Sequence, residues 1–409
     1  MRTVSELETL AGFSSGPEPG VTRVVFSQAD RKARAWFKNL CRDAGLEIRE
    51  DAVGNTFATW LGSEPQLPRV GTGSHIDAIP HSGKYDGTVG VLGGLEAIRT
   101  LQAAGFRPRR SIELLLFTSE EPTRFGIGCL GSRLLAGVLD PSAADEFKDR
   151  EAKSLAELRA QAGFNGSLES VRLPAGHYHA FVELHIEQGP LLERNGIQLG
   201  IVTNIAAPAS FRLTIAGEGG HAGAVLMPQR HDAFLAAAEI ALAVEAAARS
   251  TGAIDTVATS GVCEIFPGAI NSIPSRVKIE FDIRDTDIAR RETVAEALHA
   301  ASARMREKRG VSIEIETINS DAPATCDPAI IDTLKRAAED ASCSHSLMVS
   351  RAYHDSLFMS RIAPVAMLFI PCRAGVSHRP DEYASPEQIA TGVRVLAQTL
   401  AHLANTQSS

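Results

Sequence analysis

RVGTGSHIDAIPHSGKYDGTVGVLGGLEAIRTLQAAG, Arg69–Gly105, decides how the chain folds. Its first seven residues read as a strand and Gly90–Gly105 as a helix, with a glycine-rich loop carrying His75, Asp77 and Asp86 between them. The same alternation surrounds it. DRKARAWFKNLCRDAGL reads as an amphipathic helix, TFATW as a strand, SIELLLFT as a strand and YHAFVELHI as another. Strands alternating with helices predict an α/β domain whose central mixed sheet is flanked by helices. In such sheets ligands collect beyond the strand ends.

After VTNIAAPA the pattern changes. A strand in SFRLTIAGEGG, a helix in HDAFLAAAEIALAVEAAARS, strands in TVATSGVCEIF and SRVKIEFDIRD, a long helix to Arg309 and a strand in VSIEIETI follow in turn. That is the ferredoxin-like split βαβ order. The expected organisation is therefore a first domain over residues 1–208 and 325–409, interrupted by an α+β domain over 209–324. Two domains also suit 409 residues, more than one hydrophobic core usually serves.

A hydrophobic content of 44% and a charged content of 22% are those of an ordinary globular protein. The net charge of −8 gives no electrostatic reason to bind nucleic acid or an anionic membrane. No apolar run approaches the length of a membrane span, and the polar start lacks a secretory signal, so a cytoplasmic location is expected. The six cysteines form no CxxC pair and read as reduced, mostly buried thiols. Any metal must be held by nitrogen and oxygen.

Four predicted strands end in such groups. His75 leaves one, with Asp77 two residues on as a partner to orient the imidazole. SIELLLFTSEEPTRFG ends in adjacent Glu120 and Glu121, which repel unless a cation or a shared proton relieves them. FVELHIEQGP places His185 in an apolar strand beside Gln188, and FIPCRAGVSHRPDEY delivers His378 in a loop. Jointly these predict a site for two divalent ions. Asp86 would bridge, His75 and His185 would hold one ion, and Glu121 and His378 the other. Glu120 is left as general base, taking a proton from the attacking water and returning it to the leaving nitrogen.

The ordered segments GSHIDAIPHSGKYDG, TSEEPTRFG, ELHIEQGP, GGHAGAVLMP, PGAINSIP, DIRD, AYHDSLFM and GVSHRPDEY resemble, over nearly the whole chain, a known group of enzymes. They are similar to the carbamoylase and ureido-amidohydrolase branch of the dinuclear aminoacylase and carboxypeptidase G-type metallohydrolases. The resemblance implies the same five ligands and the same base. It also implies that the inserted domain is a lid that forms a homodimer. His221 would then reach an active site across the dimer and polarise the scissile carbonyl. Asn271 and Arg284 would hold a substrate carboxylate, with Gln188 assisting.

Where many carbamoylases and allantoate amidohydrolases carry a Gly-Ala-Gly-His-Asp segment, this chain has Ala352, Tyr353, His354 and Asp355. In this it looks most like ureidoglycolate amidohydrolases, with Tyr353 narrowing the pocket beside the ureido group and His354 next to it. The implied substrate is a small linear ureido acid, (S)-ureidoglycolate first, with N-carbamoyl-L-amino acids and allantoate as alternatives. Mixed imidazole and carboxylate ligation suits Mn²⁺, Zn²⁺, Co²⁺ or Ni²⁺, and the resemblance favours Mn²⁺.

Overall fold

The computed structural model describes residues 2–406. The chain packs into two compact units. The first runs to Thr203 and adds Thr325–Ser350 and the chain from His354 onward. The second is Asn204–Ala324 with Arg351–Tyr353.

The first unit is built on a nine-stranded mixed sheet. Along its main path the order is Ala324–Thr325, Leu199–Ile205, Val365–Ile370, Tyr178–Ile186, Arg69–His75, Ile112–Phe117, Thr56–Trp60 and Glu47–Glu50, and His345–Ser350 pairs with Leu199–Ile205. The four strands from Val365–Ile370 to Ile112–Phe117 are parallel to one another, so their C-terminal ends share one edge. Ile112–Phe117 and Val365–Ile370 are buried along their whole length, which explains why they are apolar but for Glu113. Helices Thr88–Ala103 and Pro386–Asn405 pack on this sheet. Gly90, Gly93, Gly94 and Gly392 give their backbones the room: a Cβ at any of them would lie within 2.9 Å of the strands beneath.

The second unit is a four-stranded antiparallel sheet in the order Val257–Phe266, Arg276–Asp285, Ala207–Ala216, Ser312–Ser320. Helices Ala233–Ser250 and Ile288–Arg309 share a core with it. Val277, Ile279, Phe281 and Ile283 alternate into that core, and Arg212, Lys278, Glu280 and Glu316 form ion pairs with one another on the other face. Its longer elements run strand, helix, strand, strand, helix, strand. The unit itself begins before residue 209, at Asn204, and takes in Arg351–Tyr353, so Tyr353 and His354 fall in different units.

Among the described residues no helix is long and apolar enough to cross a membrane. All six cysteines are free, and only Cys263 is exposed.

Candidate active site

The shared edge of the four parallel strands is where the polar residues gather. His75 is the last residue of its strand. Glu120 and Glu121 follow Ile112–Phe117 after a turn in which Ser119 takes a left-handed φ of 57°. His185 lies near the end of Tyr178–Ile186, and His378 lies in the loop after Val365–Ile370, with φ 59°. Left-handed backbone at non-glycine residues is strain of the kind that collects at functional sites.

Asp86 is the centre of the group. Its Oδ1 lies 3.3 Å from Nε2 of His185 and 3.5 Å from Nε2 of His75, while its Oδ2 lies 3.4 Å from Nε2 of His378. His378 Nε2 is also 3.3 Å from Oε1 of Glu121. His75, Asp86 and His185 thus form one set of donors within reach of a single ion, and Asp86, Glu121 and His378 form a second. The carboxylate common to both belongs to Asp86.

Two of the imidazoles are fixed through Nδ1. His75 Nδ1 is 3.0 Å from the Asp77 carbonyl and His185 Nδ1 is 2.9 Å from the Ile186 carbonyl. A carbonyl only accepts, so each Nδ1 carries a proton and each Nε2 is the nitrogen left facing Asp86, where a proton or a cation can bind it. Gly87, at φ 64°, lets the loop pass here; a Cβ on it would sit 2.3 Å from Nε2 of His75.

The charges fit a cationic occupant. Burial pushes the Glu120 carboxyl well above its usual range, and repulsion from Glu121, Asp355 and Asp86 adds to this against the attraction of His75. Burial would likewise raise Asp86, but His185, His378 and His75 hold it well below the carboxylate range. His378 is raised to about 11 by its hydrogen bonds to Asp86 and Glu121. Carboxylates and imidazoles buried this closely need positive charge among them, a proton's or that of a divalent ion held by nitrogen and oxygen ligands.

Glu120 stands beside this group without belonging to either donor set. Its Oε2 is 3.7 Å from Nε2 of His75, and its Oε1 accepts from Cys129 Sγ at 3.5 Å.

Asp77 acts differently from the expectation. Its carboxylate accepts the backbone N–H groups of Glu120 and Glu121, at 3.2 and 3.0 Å, and lies 3.8 Å from the His75 ring. The Asp77 backbone carbonyl, not its side chain, orients the imidazole. Gln188, at φ 55°, donates Nε2 to Asp86 Oδ2 at 2.6 Å, and its buried Oε1 has no hydrogen-bond partner. It is therefore bound to the central carboxylate. His354 is buried with its ring 4.5 Å from that of His185 and its Nε2 3.0 Å from Ser350 Oγ.

The fold brings further residues into the site. Glu382 accepts from the backbone N–H groups of Tyr85 and Asp86, and the Ser377 hydroxyl lies between the Asp86 and Glu382 carboxylates with one proton to share. Glu183, two residues before His185 in the same strand, accepts from Ser74 and Ser356. Asp355 accepts from Ser132 at 2.5 Å, and its other oxygen is buried without a partner.

In the second unit the short strand Gly220–His221 pairs with Ser272–Ile273, and Ala222 N–H donates to the Asn271 carbonyl at 2.9 Å. His221 and Asn271 are thereby neighbours, and both are exposed. Gly223 N–H donates to His221 Nδ1 at 3.1 Å, which leaves the proton on Nε2 as an outward donor. Arg284 is engaged bidentately by Asp282, at 2.7 and 3.0 Å, and its guanidinium carbon lies 5.5 Å from the Tyr353 ring centroid.

Known proteins share this architecture. The chain is 54% identical over 406 residues to the ureidoglycolate hydrolase of Arabidopsis thaliana, a match spanning 98% of this chain and 85% of that one. It is 38% identical over 408 residues to the N-carbamoyl-L-amino acid amidohydrolase of Geobacillus stearothermophilus, covering 98% of each. A crystal structure of AtUAH in complex with (S)-hydroxyglycine superposes with a TM-score of 0.92 at 53% identity, over 99% of this chain and 97% of that one. The model of peptidase family M20/M25/M40 matches residues 71–402, and the chain belongs to that family.

Proposed function

We propose that this protein is a metal-dependent amidohydrolase that cleaves the ureido C–N bond of (S)-ureidoglycolate. The observation that carries the reading is Asp86 shared between two donor sets, with Glu120 beside them and outside both. The 54% identity to a ureidoglycolate hydrolase supports the choice of substrate. His75, His185 and Asp86 would hold one divalent ion, and Asp86, Glu121 and His378 the other, Mn²⁺ by preference. Bound there, such ions polarise a carbonyl and acidify a water.

The chain's own residues would do the rest. Glu120, kept apart from the ligands and raised in pKa by its burial and its acidic neighbours, takes the proton of the attacking water. Water adds to the ureido carbonyl carbon, and the bond to the terminal nitrogen breaks. Glu120 returns the proton to that nitrogen, which leaves as ammonia. The resulting N-carboxylate loses carbon dioxide, and the remaining hydroxyglycine decays to glyoxylate and a second ammonia.

His221 Nε2–H is suited to donate to the carbonyl oxygen as negative charge develops there. Arg284 and Asn271 would receive the substrate carboxylate. For Arg284 this means sharing or exchanging its bidentate bond to Asp282. The inserted unit would act as the lid and dimerisation domain. Its edge strand Val257–Phe266 pairs on one side only, and Val257, Ile265, Phe266 and nearby Ile270 are exposed.

A second reading, N-carbamoyl-L-amino acid hydrolysis, is favoured by the 38% identity to an enzyme of that name. The ammonia yield separates the two: ureidoglycolate gives two equivalents with glyoxylate, a carbamoyl amino acid one.

A further inference from the structure

We infer that Glu382 is a positioning residue that ties together the two loops bearing Asp86 and His378, and so completes the donor set Asp86, Glu121, His378. This rests on the two-ion reading above.

Glu382 is almost wholly buried, and both its oxygens are used. Oε1 accepts the backbone N–H groups of Tyr85 at 2.7 Å and Asp86 at 3.0 Å. Oε2 accepts Ser377 Oγ at 2.9 Å and the backbone N–H of His378 at 3.3 Å. One carboxylate thus holds the main chain at two ligands that stand far apart in sequence, and the Ser377 hydroxyl, 2.5 Å from Asp86 Oδ2, shares its one proton between the two carboxylates.

The two donor sets depend on this clamp unequally. His75 and His185 sit in strands of the central sheet, and their rings are almost fully buried. His378 lies in a loop in left-handed conformation, with its side chain 46% exposed. Its backbone N–H is held by Glu382, so its set is the one that loosens when the clamp is lost. Gly83 packs directly on Glu382: a Cβ there would lie 2.3 Å from both Cβ and Oε1 of the glutamate. Space at residue 83 is therefore kept for this side chain.

The test is calorimetric titration of metal-stripped protein with Mn²⁺, on wild type, Glu382→Gln and Gly83→Ala. Glu382→Gln keeps the size but offers an NH₂ group where N–H donors require an acceptor. Gly83→Ala displaces the glutamate without altering any ligand, and decides the matter if Glu382→Gln does not fold. Wild type should bind two ions. Each variant should bind one ion as wild type does and the other roughly 10- to 100-fold more weakly, the usual cost of losing an outer partner. Turnover at limiting Mn²⁺ should fall and return with excess metal, with KM unchanged. Two ions bound at wild-type affinity in both variants would overturn the role of Glu382. A wild type that binds fewer than two ions would overturn the two-ion reading and this inference with it.

Discussion

Asp86 and His378 lie 3.4 Å apart, Oδ2 to Nε2, while the other oxygen of Asp86 faces His75 and His185. A carboxylate used on both sides cannot be replaced by an amide, whose nitrogen donates where a cation needs a lone pair. Asp86→Asn should lose both ions, and His378→Ala only one. Metal content after gel filtration, by elemental analysis, checks this. Two ions retained by Asp86→Asn would remove Asp86 from the centre of the site.

Glu120→Gln separates base from ligand. Both ions should remain and KM should change little, while kcat falls by roughly 10²- to 10⁴-fold, the usual worth of a positioned acid–base group. Undiminished turnover would show that another group moves the proton.

His221 is exposed on the second unit and carries its proton outward, as a residue serving another subunit's site would. Mixing inactive Glu120→Gln with inactive His221→Ala and allowing subunits to exchange should restore activity. If the chain forms the proposed dimer, about a quarter of the wild-type level is expected, since half the dimers would be hybrids with one intact site. No recovery after proven exchange would place His221 at the site of its own chain or outside catalysis.

Acid stability should depend on Glu113, at the start of a central strand. Burial would raise its carboxyl, but His177, Arg69, Tyr178 and Thr59 more than offset this and bring it to about 2. Tyr178 donates at 2.5 Å and Thr59 at 2.7 Å. A folded pKa below the unfolded one, about 4.3, contributes stability that is present above the unfolded value and is lost as pH falls toward the folded one. The linkage amounts to about 3 kcal/mol. Denaturant unfolding of wild type and Glu113→Gln should therefore show a gap at neutral pH that narrows across this window. A gap independent of pH would mean that Glu113 is not ionised in the fold.

What the sequence made legible follows from where each residue sits. Glu121, His185 and His378 end or follow apolar strands and stand out against the pattern that precedes them, while His75 closes a glycine-rich strand and stands out through Asp77 and the glycines around it. Tyr178–Ile186 and Thr56–Trp60 begin and end where the apolar runs do. Glu382 gave no such signal: it is one acid in an exposed-looking loop, and its partners Tyr85 and Asp86 are brought to it by the fold. Gln188 likewise reads as a loop amide until the fold sets its Nε2 against Asp86. Arg351–Tyr353 joins the second unit, where Arg351 pairs with Asp255 at 2.6 Å, a bond between segments whose sequences have nothing in common.

The most direct test of the central claim is ammonia release by metal-stripped protein reloaded with Mn²⁺, comparing (S)-ureidoglycolate with an N-carbamoyl-L-amino acid and allantoate. The expected result is no activity before reloading and, after it, a clear preference for (S)-ureidoglycolate. Equal turnover of the stripped and reloaded protein, or preference for either other substrate, would contradict it.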